Sequence, residues 1–532
     1  MMKPEVRVSY EELRGANALR RRKRKFEHRI GLQPAWNVFV RPFSSIICLI
    51  FLFSACAVGP DYKRPEVDAP SAYRPAVSDT RDLSATESLA DLGWNELIED
   101  EMLRGYIAEA LTKSWDIKAA AARVLQAEAA LRVTRSQFLP SFAAGGDMVT
   151  TRISEEGPTG IPAGVDPKQD YGDVYVAMST YELDLWGRVR RASEAARARL
   201  LATDAAQDSV RQTLVTDVAS TYLQLLQLDQ DLEIGRRTLA NRTDSLALTT
   251  SREEGGVASM QDVAQARILV LTAKASITDT LRQIEQTENA FCVLLGRNPG
   301  PIERGRTLNE YPVRADVPAG LPSALLERRP DLRAAEQQLV AANADIGQAK
   351  AAFFPQLTLT GLYGFQSVSL SNLFTSPAET WDFGPTLTLP LFTNGRLSGN
   401  LAFAQAQFEE SVAIYRKSVQ DAFRDVSDSL IAYQRLRELR SEIEELTAAH
   451  RLAVELANTR YEGGVAGYLE VLYNEQELFN AELFLSRTQA NELLSVIQLY
   501  RALGGGWQVT NNQMSASGSA TGGSKVTAPA KK

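Results

Sequence analysis

The run Arg460-Tyr461-Glu462-Gly463-Gly464-Val465-Ala466 decides the fold, because most of it occurs twice. The earlier copy is Glu254-Gly255-Gly256-Val257-Ala258, 208 residues upstream. The same offset carries Gly395-Arg396 onto Gly187-Arg188 and Leu503-Gly504 onto Leu295-Gly296. Arg460, Asp425 and Val471 also fall on Arg252, Asp217 and Val263. An offset that holds from Gly395 to Gly504 means one structural unit built twice without insertions. Each copy reads as two proline-free helices joined by a glycine turn. The first arm runs about 67 residues, or roughly 100 Å, and the return about 40 residues, or roughly 60 Å. Helices so far above the globular norm must pack along their length.

The residues are patterned for that. Phe408, Val412, Tyr415, Val419, Phe423, Val426, Leu430, Tyr433, Leu436, Leu439, Ile443 and Leu446 recur at steps of three and four. That is the stripe of a helix packed in a bundle or coiled coil. A second pair of helices shows a different offset. Asp116 to Phe138, ending at Pro140, has its twin in Asp331 to Phe354, ending at Pro355, with Asp331 and Pro355 each 215 residues beyond Asp116 and Pro140. The seven-residue difference falls between Pro140 and Gly187, where a loop varies in length. The stretch from Trp94 to Leu139 as a whole reads as helical.

Between each of these prolines and the following Gly-Arg the apolar period changes from 3.6 to 2. Leu357, Leu359, Gly361, Tyr363 and Phe365 alternate with polar or small residues, as do Leu387, Leu389 and Leu391. In the first half Tyr175, Ala177, Ser179, Tyr181 and Leu183 form one alternating set. Each half therefore holds two strands joined by a polar loop, about 152–173 and 367–380. The strand after Pro140 is the faintest, since Ala143-Ala144-Gly145-Gly146 has little β preference. Strands of about ten residues with one apolar face match the transmembrane-barrel pattern. Four cannot close a barrel, and open edges are not tolerated in lipid. Three copies would supply about twelve strands.

The ends of the chain are of another kind. A basic run, Arg20 to Lys25, precedes an apolar segment from Phe43 to Phe53 that ends in Ser54-Ala55-Cys56. It is too short to span a bilayer and suits a secretory leader over residues 1–55. Removing those residues takes away 11 basic and 4 acidic side chains and leaves 47 against 61, about −14. Such a surface repels phosphate backbones, so nucleic acid is not an expected partner. Residues 56–90, with evenly spaced prolines, read as an extended strap. Residues 508–532, rich in Ser, Gly, Thr, Ala and Lys, read as a disordered tail. Three cysteines make no disulfide framework, and two histidines leave little for metal or acid–base chemistry. His450 reads as a helix-surface residue. No nucleophile–base pair, metal cluster or cofactor fingerprint is present, so neither an enzyme nor a cofactor is expected.

With these features in place, CAVGPDYKRP (56–65), LPSALLERRPDLRAAE (321–336), FFPQL (353–357), RYEGG (460–464) and LGGGW (503–507) resemble the TolC-like outer-membrane factors. The similarity points to the NodT-type lipoproteins that serve resistance-nodulation-division pumps, and it covers Cys56 to Trp507. It implies an α+β fold: a homotrimer with a twelve-stranded outer-membrane β-barrel and a twelve-helix periplasmic α-barrel. Residues 91–320 and 321–507 would be its two repeats. Cys56 would carry the lipid, although Phe53 stands where the lipoprotein motif prefers leucine. The turns Gly255, Gly256, Val257, Ala258 and Gly463, Gly464, Val465, Ala466 would be the tips where a periplasmic adaptor protein docks. Arg460 and Tyr461 would clasp the resting tip, with Asp262 or Glu470 as partners and Leu469 nearby. The family often places an aspartate where this chain has Tyr473. The implied function is a passive exit duct of a drug-efflux pump. The alternatives are the duct of a type I protein-secretion system and a coiled-coil tether of the envelope.

Overall fold

The computed structural model describes residues 57–68, 70, 73–74, 88–157, 164, 166–311 and 322–507. The leader, the lipidation expected at Cys56 and the tail from 508 lie outside them. Seven helices longer than one turn are present among the described residues: α1 (Glu101–Lys113), α2 (Trp115–Ser136), α3 (Arg188–Glu254), α4 (Met260–Leu294), α5 (Pro330–Ala351), α6 (Arg396–Glu462) and α7 (Tyr468–Ala502). The strands are β1 (Phe142–Arg152), β2 (Lys168–Leu183), β3 (Gln356–Ser367) and β4 (Glu379–Thr388). The duplication is reproduced to the residue: α3 and α6 have 67 residues each, α4 and α7 have 35, α2 and α5 have 22.

The helical stretch from Trp94 to Leu139 is broken twice, against the sequence expectation. Asp100 Oδ1 accepts from Met102 N at 2.8 Å and from Leu103 N at 3.3 Å, and Ser114 Oγ accepts from Asp116 N at 3.3 Å. Each side chain satisfies orphan donors of a new helix start, which a continuous helix would leave without purpose. The return arms are also shorter than their glycine-to-glycine spacing, because five residues at each tip, 255–259 and 463–467, are spent on the turn.

The helices form a single layer. α3 packs against α4 and α2 on one flank and against α7 and α5 on the other, and α6 packs against α7 and α5. The short helices meet the ends of the return arms. Gly296, just past α4, lies against the Lys113 carbonyl before α2, and Trp507 Nε1, past α7, donates to the Arg328 carbonyl at 3.1 Å before α5. The main apolar core gathers where these junctions meet α1. Tyr106, Tyr222 and Phe291 form an aromatic group there, with Leu225, Leu295, Val426 and Leu499 buried around it. Such full burial of large apolar side chains is worth about 1.5–3 kcal/mol each, so this level is the rigid belt of the chain.

The sheet is antiparallel in the order β1-β2-β3-β4. β1 is a full strand despite its glycines. β2 begins at Lys168, opposite Arg152, so the first loop is shorter than the apolar pattern indicated. The ladder is a backbone property and continues through Lys168, Gln169 and Asp170, where side-chain alternation no longer marks it. β4 stops at Thr388, whose partner is Gln356. Leu389 and Leu391 therefore lie outside the strand, since Pro355, just before β3, offers no amide to extend the ladder. The set Tyr175 to Leu183 is split by a bulge between Met178 and Tyr181. Tyr181 and Leu183 thereby join the face of Val174, Val176 and Met178, and one apolar surface stays continuous. The register adds Tyr363, Phe365, Trp381, Phe383 and Leu387 to it. The opposite face carries Asp147, Asp173, Gln366, Thr360 and Asp382.

Residues 57–68 lie extended along α5 and the start of α3, whereas Leu89–Asp91, at the far end of the expected strap, form a helical turn. Arg64 makes two bonds to Glu336 at 2.6 and 2.5 Å, Asn343 Nδ2 donates to the Pro60 carbonyl at 3.0 Å, and Arg191 pairs with Asp61 at 2.9 Å. A side chain at Gly347 would meet the Val58 carbonyl at 2.9 Å, so only glycine lets the strap approach this closely.

Candidate functional site: the hairpin tips

Both tips are made by the same backbone device. Gly256 (φ 76°) and Gly464 (φ 73°) adopt the left-handed conformation. Val257 N donates to Arg252 O at 2.9 Å and Gly256 N to Glu253 O at 2.9 Å; Val465 N donates to Arg460 O and Gly464 N to Tyr461 O, both at 3.0 Å. This is the Schellman closure, and it lets a long helix end and reverse within a few residues. The valines are left outermost, Val257 77 % and Val465 72 % exposed, with Ala258 and Ala466 partly covered behind them.

The side chains around the two turns differ. At the first tip Ser259 caps α4, accepting from Asp262 N at 3.2 Å, while Asp262 Oδ2 accepts from Ser259 N at 2.9 Å. Asp262 is thus committed to its own helix and does not meet Tyr461. At the second tip Gly467 holds the cap position of α7 with no side-chain bond. There Arg460 Nε reaches Glu470 Oε1 at 3.2 Å, across the turn of its own hairpin. Leu469 and Tyr473, one turn apart on α7, are exposed.

Tyr461 is brought to a different partner. Its ring packs against Tyr468 at 5.2 Å between centroids, within a small core of Ala266, Ala457, Val471 and Leu472. Its hydroxyl is buried and has no hydrogen-bond partner among the described residues. The guanidinium of Arg252 sits 4.4 Å from the Tyr461 ring centre and donates to the carbonyls of Tyr461 at 3.0 Å and Glu462 at 3.3 Å. Arg252 of the first hairpin, not Arg460, therefore caps the C-terminus of α6, where a cation is favoured by the helix dipole. Sequence reasoning singled out Arg252 only as the repeat mate of Arg460; its place on the offset was the signal available.

Above the tips the two hairpins meet along α3 and α7 through polar side chains. Arg237 pairs with Glu482 at 2.7 Å, Gln230 bonds Gln489 at 3.2 Å, and Ser245 donates to Glu475 at 3.2 Å. Burial pushes the Tyr468 hydroxyl up to about 12 and raises the Glu475 carboxyl above the usual carboxylate range. No group of His, Cys, Asp and Glu that could hold a metal ion exists among the described residues.

A family model described as outer membrane efflux protein matches residues 106–297 and 321–505. The toluene efflux pump outer membrane protein TtgF of Pseudomonas putida is 38 % identical over 475 residues, spanning 88 % of this chain and 97 % of the relative. The outer membrane protein OprJ of Pseudomonas aeruginosa is 34 % identical over 478 residues, spanning 89 % of this chain and 97 % of the relative. Among solved structures, the MtrE outer membrane channel of Neisseria gonorrhoeae in its open state superposes with a TM-score of 0.75 at 32 % identity, covering 85 % of this chain and 99 % of that one. Sheet, long helical layer and doubled hairpin are thus those of an outer-membrane channel, and the chain belongs to the outer membrane efflux protein family.

Proposed function

We propose that three copies of the chain close into one passive duct through which small, largely apolar solutes leave the periplasm across the outer membrane. The observation that carries this is that both layers end in unpaired edges. β1 and β4 each have one neighbour, and no lipid-exposed edge is stable. The helical layer ends in the same way at α4 and α6. Ile268 and Leu271 on α4, and Ile414, Leu452 and Leu456 on α6, are exposed large apolar side chains on those outer helices. Two copies would give about eight strands, an interior that side chains fill, whereas three give about twelve and leave a lumen. The face bearing Asp147, Asp173, Gln366 and Asp382 would line that lumen, and the face of Trp381, Phe383 and Tyr363 would meet lipid.

In this reading the tips at Gly255 to Ala258 and Gly463 to Ala466 receive a periplasmic adaptor that links the duct to an inner-membrane resistance-nodulation-division pump. Arg460, Tyr461, Glu470, Leu469 and Tyr473, with Asp262 beside them, would converge about the three-fold axis as the gate. Cys56, the residue before the strap in sequence, would carry a lipid anchor. The test is imaging of the detergent-purified full chain. Three-fold hollow particles about 140 Å long are expected, from roughly 100 Å of helix and about 30–40 Å of barrel. Solid or two-fold particles would overturn the proposal.

A further inference from the structure

Two buried charges of opposite sign line the same groove between the hairpins, and neither is fully satisfied. Arg242 of α3 is 1 % exposed. Its Nη1 donates to the Leu269 carbonyl of α4 and its Nη2 to Gln476 Oε1 of α7, both at 3.1 Å, while Phe479 lies 5.1 Å from the guanidinium. Its Nε has no hydrogen-bond partner among the described residues. Glu475 of α7 accepts from Ser245 Oγ at 3.2 Å, and its Oε2 is buried without a partner among the described residues. Both residues line a groove of about 760 Å³ bounded by α3, α6 and α7, roughly two to four turns above the glycine turns.

We propose that Glu475, buried at the seam with an unpartnered carboxylate oxygen, is a proton-responsive latch between the two hairpins, engaged when protonated and weakened when ionised, and that the nearby cation of Arg242 sets where it releases. The proposal rests on the duct reading, in which the tips are a gate. The seam around the pair is built for exchange with water. Its neighbouring cross-links are the polar contacts Arg237–Glu482 and Gln230–Gln489, with a small core around Tyr461 and Ala266 nearer the turns, whereas the belt above is held by many large apolar side chains. Parting a polar seam trades its bonds for water, while parting the belt would expose apolar surface. Movement of one hairpin past the other is therefore cheapest below the belt, where Glu475 sits. The pair is also not part of the duplicated frame. At the 208-residue offset Arg242 corresponds to His450 and Glu475 to Arg267, so only this one seam carries it.

The charges facing Glu475 determine the sign. From α3 come Arg242 and, at the rim, Arg237 and Asp244; from α6 come Arg451, Glu455 and Glu462; on α7 itself stand Tyr468 and Glu482, the latter already held by Arg237 and Arg451. α4 presents the Leu269 carbonyl, which takes a donor from Arg242. Burial is the largest influence and raises the carboxyl of Glu475; the Ser245 bond and Arg242 oppose it. With the seam parted and water around Glu475, that midpoint returns to the ordinary carboxylate range. The engaged form thus holds the proton more tightly. Its stability is complete below the ordinary midpoint and is lost as pH rises through the raised one. One pH unit between the two midpoints is a factor of about ten in the equilibrium.

The experiment compares the full-length parent with Glu475→Gln, Arg242→Met and Arg242→Lys in planar bilayers between about pH 5 and about pH 8, trimer content being confirmed on a gel. The parent should conduct several-fold more at the alkaline end. Glu475→Gln should stay at the low level with a flat profile. Arg242→Met should move the transition to higher pH, because the favourable cation is gone, and Arg242→Lys should restore it. A parent whose pH profile matches Glu475→Gln overturns the latch and leaves the duct standing, as does a midpoint unmoved by Arg242→Met. A parent that conducts at no pH overturns the duct reading and the latch with it.

Discussion

At the first tip Ser259 and Asp262 close a capping box within one hairpin, and nothing from the second hairpin is needed to finish it. At the second tip Gly467 gives α7 no cap, and the end of α6 is completed by Arg252, which belongs to the first hairpin. The backbone closures are the same to within a few degrees at Gly256 and Gly464. The difference teaches that the duplicated part of a tip is its turn, while its side-chain support is assigned tip by tip. The self-contained tip stays ordered whatever its neighbour does. The other is ordered only while the two hairpins are in contact, which suits it to be the part that moves.

Arg252→Ala should break this asymmetry most strongly. It removes two charge-assisted bonds and a cation–aromatic contact, about 2–3 kcal/mol at one site. Amide exchange should accelerate over the last turn of α6 and stay unchanged at the first turn of α4. Equal acceleration at both tips would mean that the first hairpin is not self-contained. Ser259→Ala should cost about 1 kcal/mol and act in the opposite place, fraying α4 and leaving Tyr461 protected. An effect on α6 as large as that on α4 would defeat the comparison.

Smaller effects sharpen it. Arg460→Ser removes a pair whose side chains are 56 % and 42 % exposed, so the loss should be about 0.2–1 kcal/mol and should shrink with added salt. A larger, salt-insensitive loss would show that the arginine reaches beyond its own hairpin in the assembled trimer. Gly467→Ser supplies the cap that α7 lacks and should gain a few tenths of a kcal/mol in the last turns to exchange, with conductance reduced if the second tip is the mobile one. Tyr461→Phe deletes a hydroxyl that has no partner within the described residues, so stability should change by less than about 0.5 kcal/mol. A clear rise in conductance from that substitution would reveal an acceptor on a neighbouring copy.

Much of this molecule was legible along the chain. Gly256 and Gly464 announced the turns, and the proline-free spans between Gly187 and Glu254 and between Gly395 and Glu462 gave the two 67-residue helices. Alternation from Leu357 to Phe365 marked β3. The helix starts at Asp100 and Ser114 are set by side-chain caps, which apolar periodicity does not mark. The bulge after Met178 was not readable, because it serves a face formed with β3, and the register of β3 lies some 180 residues away.

The candidate site divides along the same line. Residues whose roles are local, such as Ser259 with Asp262 or Arg460 with Glu470, interact within about ten positions, and spacing alone brings them near one another. Arg252 against Tyr461, and Arg242 and Ser245 against Gln476 and Glu475, are joined across 209 to 234 positions. Sequence by itself determined the repeat, the helix lengths, the turns and the apolar face of the strands, because those follow from backbone sterics and periodicity acting over a few residues. Only the tertiary structure decided which side chain caps which helix and which charges are buried, because those follow from how far one long hairpin is shifted and rotated against the other, and no residue in either hairpin specifies that alone.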